Sequence, residues 1–250
     1  MIIERSMQAD WLSNAYLVGD EDNGKAVVID SGGPSGPLLE AAERHNLDVE
    51  LLLLTHHHGD HVAENSVWKE RHGVEILAHP LEAALLDDVD RTIEPGETLR
   101  VGGLTIDSVL TPGHTAGMLN FIVNGTDVFT GDTLFKGSVG GVRAPGSTSF
   151  EDLKHSIMEV LMKLPPETVV HPGHTDPTTI GDEWERNPFV RAWRGLDRRR
   201  ETRCTALGSP ATLLLRARDY DGGSKCWVRF DEGNRLDVVP GSRVVDVTPP

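Results

Sequence analysis

Val49-Glu50-Leu51-Leu52-Leu53-Leu54-Thr55 runs without a break into His56-His57-His58-Gly59-Asp60-His61. Apart from Glu50 the first half is continuously apolar, as a strand buried on both faces should be. The second half packs imidazoles and a carboxylate into the turn that follows. A strand end delivers alternate side chains to one side, so His56 and His58 can converge on one point. Asp60 and His61, at the turn into a helix expected over 61–71, address a second point a few residues on. Imidazole and carboxylate together suit zinc, iron or manganese.

Three later segments repeat this grammar: Leu110-Thr111-Pro112-Gly113-His114, Phe129-Thr130-Gly131-Asp132 and Val170-His171-Pro172-Gly173-His174. In each, a β-branched or aromatic run ends in glycine followed by a residue able to bind metal. Around them, short strands alternate with amphipathic helices, the pattern of an α/β fold. Strands are expected at Ala15–Gly19, Ala26–Asp30, Val74–Ala78, Leu104–Leu110, Met118–Val123, Asp127–Thr130 and Thr168–Val170. Helices are expected at Pro37–His45, Leu81–Leu86 and Phe150–Leu164, the last with Leu153, Ile157, Val160, Leu161 and Leu164 as its apolar stripe.

Composition narrows the function classes. The 250 residues carry a net charge of −15, which disfavours nucleic acid and anionic membrane as partners. No apolar run approaches membrane-spanning length, and no signal peptide is visible, so a cytoplasmic protein is expected. Cys204 and Cys226, the 2 cysteines, are expected as reduced thiols. Beyond about residue 185 the text changes. Arg186, Arg191, Arg194, Arg198, Arg199, Arg200 and Arg203 form a basic stretch, read as a solvated face or an anion clamp. Residues 204–250 read as a small β-subdomain of a few strands, suited to docking on the main body or to forming a homodimer. The division expected is a catalytic domain over 1–190, an Arg-rich helix or linker over 191–203, and the β-subdomain over 204–250.

The His-x-His-x-Asp-His segment over 56–61, followed in order by His114, Asp132 and His174, resembles the metallo-β-lactamase superfamily. Gly131-Asp132-Thr133-Leu134-Phe135 and the two Pro-Gly-His-Thr segments are most similar to its glyoxalase II group, the hydroxyacylglutathione hydrolases. The resemblance implies an αββα sandwich with two divalent metal ions, zinc first, with iron or manganese as alternatives. It implies that His56, His58 and His114 hold one ion, that Asp60, His61 and His174 hold the other, and that Asp132 bridges them. Asp60 and Asp132 are then the catalytic carboxylates, and Asp30 and His171 support the ligands. The implied reaction is hydrolysis of a small-molecule acyl-thiol, an anionic thioester of the hydroxyacyl kind, by a metal-bridging hydroxide. Members that use glutathione carry a basic residue shortly after the Gly-Asp-Thr-Leu-Phe segment, where this chain has Gly141; Lys136 and Arg143 are the substrate-binding candidates in its place. Two alternatives share the fold. One is a persulfide dioxygenase with a single Fe(II) on His56, His114 and Asp132. The other is a lactonase, which is marked down because Tyr16 and Tyr220 are the only tyrosines. His57 is expected to face away, and His45, His72, His79 and His155 to be ordinary surface residues.

Overall fold

The computed structural model describes residues 1–197 and 201–247. The apolar run is a buried strand: Asp48–Leu53 (β4) lies between Lys25–Ile29 (β3) and Glu75–Ala78 (β5), parallel to both. The sheet continues through Asn14–Gly19 (β2) and Ile2–Met7 (β1) on one side and Arg91–Thr92 (β6) on the other, in the order β1-β2-β3-β4-β5-β6. A second sheet runs from Val169–Pro172 (β13) through Asp127–Gly131 (β10), Leu119–Val123 (β9) and Leu104–Leu110 (β8) to Thr98–Val101 (β7). Tyr16, Val18, Val27, Ile29 and Leu53 of the first sheet share one buried cluster with Ile106, Leu119, Phe121 and Phe129 of the second. The opposite face of the first sheet presents Leu17, Val28, Leu52 and Ile76 to Leu38, Ala41 and Ala42 of Ser35–Arg44 (α1) and to Trp68 of Asn65–His72 (α3). Strand periodicity of two thus feeds a helix–sheet layer and a sheet–sheet layer from the same residues.

The helix expected over 61–71 is broken into Gly59–Val62 (α2) and α3. The cause is local. Ser31 N–H takes the His61 carbonyl at 2.8 Å and Glu64 N–H bonds the Ser31 carbonyl at 3.2 Å, so the end of β3 competes with helical bonding at this point. Pro80–Ala83 (α4) is shorter than expected.

By its contacts the chain divides into two compact units. The first comprises 1–110, 117–131 and 169–177, and the second 111–116, 132–168 and the chain from Thr178 on. The second unit contains a tight hairpin, Leu134–Phe135 (β11) with Ser138–Val139 (β12). Phe150–His155 (α5) follows and widens into a π-helical turn, Ser156–Val160, then tightens into a 3₁₀ turn, Leu161–Lys163. Leu153, Ile157 and Leu161 are all buried. Their four-residue steps drift off one face of a 3.6-residue helix, and a wider turn keeps them aligned. After the short strand Thr178–Thr179 (β14) come Ile180–Arg186 (α6) and Pro188–Trp193 (α7).

The C-terminal stretch is a five-stranded antiparallel sheet: Thr202–Ala206 (β15), Ser209–Arg218 (β16), Ser224–Phe230 (β17), Leu236–Pro240 (β18) and Val244–Asp246 (β19), ordered β18-β17-β16-β15-β19. Cys204, Leu213, Cys226, Val228, Phe230 and Val239 belong to its own core, and both cysteines are free thiols. It docks within the second unit, where Trp227 stacks on Phe150 of α5 at 6.2 Å. In the basic stretch, Arg191 pairs with Asp197 and Arg203 with Asp231, while Arg194 lies over the Trp184 ring. Arg198, Arg199 and Arg200 lie outside the described residues. Among the described residues, no helix is long and apolar enough to cross a membrane.

Candidate metal centre

Beyond β4 the chain folds back through Thr55–His58, and the first unit gathers its ligand-type residues there. The ring centroids of His56 and His58 are 4.6 Å apart, those of His56 and His61 4.3 Å, and those of His61 and His174 5.3 Å. Asp60 Oδ2 lies 3.7 Å from His61 Nε2 and 3.5 Å from His174 Nε2. Asp60, His61 and His174 each offer a ligand atom, all within 4.8 Å of one another, as do Asp30, His56 and His61. The separations of Asp60 from His61 and His174 are too long for good hydrogen bonds, but they fit donors sharing a cation. Ligands about 2.0–2.1 Å from a tetrahedral ion lie about 3.3–3.4 Å from each other. The donor set, imidazole nitrogen with carboxylate oxygen, fits a divalent metal.

One buried carboxylate sets the chemistry of two of these rings. At the end of β3, Asp30 takes φ +55°, a left-handed conformation that costs free energy in a residue with a Cβ. That turn aims its oxygens at three donors: Thr55 N–H at 2.8 Å, the Thr55 hydroxyl at 2.8 Å and His61 Nδ1 at 2.9 Å. With its proton given to Asp30, the Thr55 oxygen accepts from His56 Nδ1 at 3.0 Å. Both imidazoles therefore carry their proton on Nδ1 and keep the Nε2 lone pair for a metal. Two glycines make the packing possible. A Cβ on Gly32 would fall 1.5 Å from the Asp60 carbonyl oxygen, and Gly131, at φ +44°, would place one 2.6 Å from Thr55 Oγ1.

The loop carrying His174 is held by residues that the sequence did not single out for this role. Asn14 Nδ2 donates to the Pro172 carbonyl at 2.9 Å and the Thr175 carbonyl at 2.8 Å, and the Tyr16 hydroxyl donates to the Pro172 carbonyl at 2.7 Å. Burial pushes the Tyr16 phenol far above its ordinary range, keeping it a donor. Glu82 is a second missed residue. It is buried and accepts from His57 N–H at 3.1 Å, from His57 Nδ1 and from Gly117 N–H at 2.8 Å. His57, expected to face away, packs edge to face on the His58 ring with centroids 4.8 Å apart and is anchored by Glu82. His79, expected at the surface, is buried, because its ring caps α4 by accepting from Leu81 N–H at 3.2 Å.

In the second unit, His114 Nε2 and Asp132 Oδ2 are 3.4 Å apart. His114 Nδ1 donates to the Gly141 carbonyl at 2.8 Å, so here too Nε2 is the nitrogen able to bind a metal. Gly141 closes the hairpin strap that starts at Asp132, and Gly140 N–H bonds back to the Thr133 carbonyl at 3.1 Å. Lys136 is exposed at the turn of that strap. Arg143, by contrast, lines a cavity of about 320 Å³ together with His114, Asp132, Phe135, Tyr220 and Lys225. The contacts of His171 are Asp127, at 2.8 Å, and the rings of Phe129 and Tyr16. Burial works to raise the Asp127 carboxyl, but the His171 and Thr126 hydrogen bonds hold it below its usual range.

Sequence comparison assigns this architecture. The metallo-beta-lactamase superfamily profile matches residues 9–174, and the chain belongs to that superfamily. Within it the chain is glyoxalase II-like, and the fold is the metallo-β-lactamase fold. Relatives include an uncharacterised protein of Aquifex aeolicus, 37% identical over 71% of this chain and 91% of its own length. The hydroxyacylglutathione hydrolase GloC of Haemophilus influenzae is 33% identical over 72% of this chain and 93% of its own length. Among solved structures, ETHE1 from Myxococcus xanthus superposes with a TM-score of 0.69 at 28% identity, covering 77% of this chain and 85% of that one. TTHA1623 in a di-iron-bound form gives 0.64 at 34% identity, covering 74% and 99%. Family and site together define a metal-dependent hydrolase with clustered His and Asp ligands for divalent metal.

Proposed function

We propose that the protein is a two-metal thioester hydrolase acting on hydroxyacyl derivatives of a small thiol. The observation that carries this reading is the second cluster. Asp60, His61 and His174, oriented from behind by Asp30, make a ligand set that a single-iron enzyme on His56, His114 and Asp132 would not use. The named hydroxyacylglutathione hydrolase relatives support it. In this reading His56, His58 and His114 would hold one ion, Asp60, His61 and His174 would hold the other, and Asp132 would serve both. Such a pair supplies Lewis acidity and a water acidified to roughly neutral pH.

The chain's own residues fix the remainder. Asp30 and the Gly141 carbonyl keep protons on the Nδ1 atoms of His61 and His114, so neither ring can turn or shift its proton to Nε2 without losing a hydrogen bond. The overall step adds water across the acyl carbon: a C–O bond forms, the C–S bond breaks, and the products are a hydroxy acid and a free thiol. Thiolate is a good leaving group, so the site needs no strong acid beside it. Arg143, on the cavity that holds His114 and Asp132, is the substrate-binding candidate; Lys136 lies at the exposed turn. Zinc is the ion proposed. A reducing cytoplasmic setting fits the two buried free thiols.

Two further readings have a specific observation behind them. The likeness to ETHE1 fits an Fe(II) persulfide dioxygenase. Tyr220 shares the cavity of His114 and Asp132, which restores the lactonase that the scarcity of tyrosines had marked down. Elemental analysis of protein purified without chelator, followed by turnover of hydroxyacyl thioesters, lactones and persulfides, tests all three. About two zinc ions per chain with thioester turnover is the expected result. One iron with oxygen uptake on persulfide would replace it, and lactone turnover without thioester turnover would favour the third.

A further inference from the structure

The cavity in the second unit has walls of different origin. One side is the strap from Asp132 through Gly141 to Arg143; the other is the C-terminal sheet, with Tyr220, Lys225 and Val238. The apolar part is formed by Phe135 and Tyr220, packed edge to face with centroids 5.0 Å apart, and by Val238.

Most charge in it is already matched. The buried Lys225 ammonium of β17 stands 3.3 Å from Asp219 Oδ2 and donates to the Val139 carbonyl, and Asp219 Oδ1 accepts from the Ser138 hydroxyl at 2.7 Å. Burial pushes this ammonium below its ordinary range, against the pull of Asp219. Arg143 is different. Its guanidinium pairs with Asp237 of β18, and Arg235 pairs with the same carboxylate oxygen. Asp237 is buried, so two guanidiniums share one carboxylate and a positive charge is left over. With its side chain 41% exposed, Arg143 brings that charge to the cavity in reach of a ligand.

We propose that this cavity binds the thiol half of the substrate, and that the C-terminal sheet, by holding Arg143 on Asp237, selects a small thiol bearing one carboxylate. The inference rests on the thioester reading above. Size limits the ligand, because about 320 Å³ is at the small end of ligand cavities. Charge limits it too, because Asp221 on the sheet side opposes a second negative group, whereas Asp219 is already matched by Lys225. A bulky, multiply anionic carrier does not fit either condition.

Hydroxyacyl thioesters of N-acetylcysteine and N-acetylcysteamine differ only in that carboxylate. The native enzyme should favour the N-acetylcysteine ester in kcat/KM by about tenfold or more, chiefly through KM. Arg143→Gln should erase most of that preference, and Ser242→Trp, on the sheet side of the cavity, should raise KM for both esters. Equal kcat/KM for the two esters, or a preference unchanged in Arg143→Gln, overturns the proposal. Calorimetric titration of the two free thiols onto metal-loaded protein reads the same preference without turnover, since any thiol–metal contact is common to both. If neither ester is hydrolysed but N-acetylcysteine binds about tenfold tighter in an Arg143-dependent way, the pocket stands and the thioesterase reading falls. If both thiols bind equally or not at all, the pocket assignment falls whatever the turnover.

Discussion

His61 and His114 make the same kind of hydrogen bond at almost the same length, Nδ1 to oxygen at 2.9 and 2.8 Å, yet their supports differ in kind. His61 is held by the buried carboxylate of Asp30, a side chain at a strand end. His114 is held by the backbone carbonyl of Gly141, placed there by a strap that leaves from Asp132 and returns. A carboxylate raises the basicity of the ring it supports more than a peptide carbonyl does, and it can be removed by one substitution. A carbonyl can be removed only by moving the chain. One support is therefore open to mutation, and the other is open only to changes in backbone conformation.

The sharpest break in the pair comes from Asp132 itself. Asp132→Ala should lower turnover at least about a thousandfold, because the proposed bridging ligand goes, while the C-terminal sheet stays folded. Steady-state kinetics with far-ultraviolet circular dichroism separates the two. Next in size, Gly32→Ala puts a Cβ into the Asp60 carbonyl and should destabilise the first unit by about 3 kcal/mol or more, read as a lowered denaturant midpoint.

Asp30→Asn tests the side-chain support directly. Metal affinity, measured by chelator competition, should fall about 10–100-fold with little change in secondary structure. Gly141→Ala is its counterpart. No atom lies within 4 Å of the added Cβ and the backbone there is not left-handed, so affinity should change less than about twofold. Similar losses in both would show that the two supports are not different in kind.

The smallest effect concerns pH. Burial pushes the Cys226 thiol up to about 11, so the thiolate is favoured by unfolding. Stability present at neutral pH should therefore decline as pH rises from about 9 through about 11, and Cys226→Val should flatten that decline in thermal melts. The sign is that of a group whose folded pKa is raised.

Some of this was legible because it is local. The apolar run before His56 and the glycine before each later ligand-type residue both depend on neighbours one to four positions away, whereas the role of Asp30 came from the family resemblance. The helix after Leu81 shows where that kind of reading stops. Leu81 and Leu85 are 55% and 60% exposed, while Glu82 between them is 2% exposed. Hydropathy turns the leucines inward. The structure turns in the carboxylate, because His57 and Gly117 supply three donors that water would otherwise have to satisfy. Those donors lie 25 and 35 residues away along the chain, so no local pattern announces them.

Sequence by itself determined the central strands of both sheets, though not β1 or β7, and the order of ligand-type residues and hence the superfamily, since metal chemistry restricts residue type and strand ends restrict spacing. It also showed that the C-terminal stretch is β. Tertiary structure alone decided which groups stand behind those residues: Asn14 and Tyr16 under the His174 loop, Glu82 under their neighbour His57, and the Gly141 carbonyl behind His114. It alone also placed Tyr220, Lys225 and Arg143 around one cavity. The physical reason is range. Strand and turn preferences act over a few residues, whereas a buried hydrogen bond or a shared carboxylate such as Asp237 is set by whichever polar groups the completed fold leaves to be satisfied.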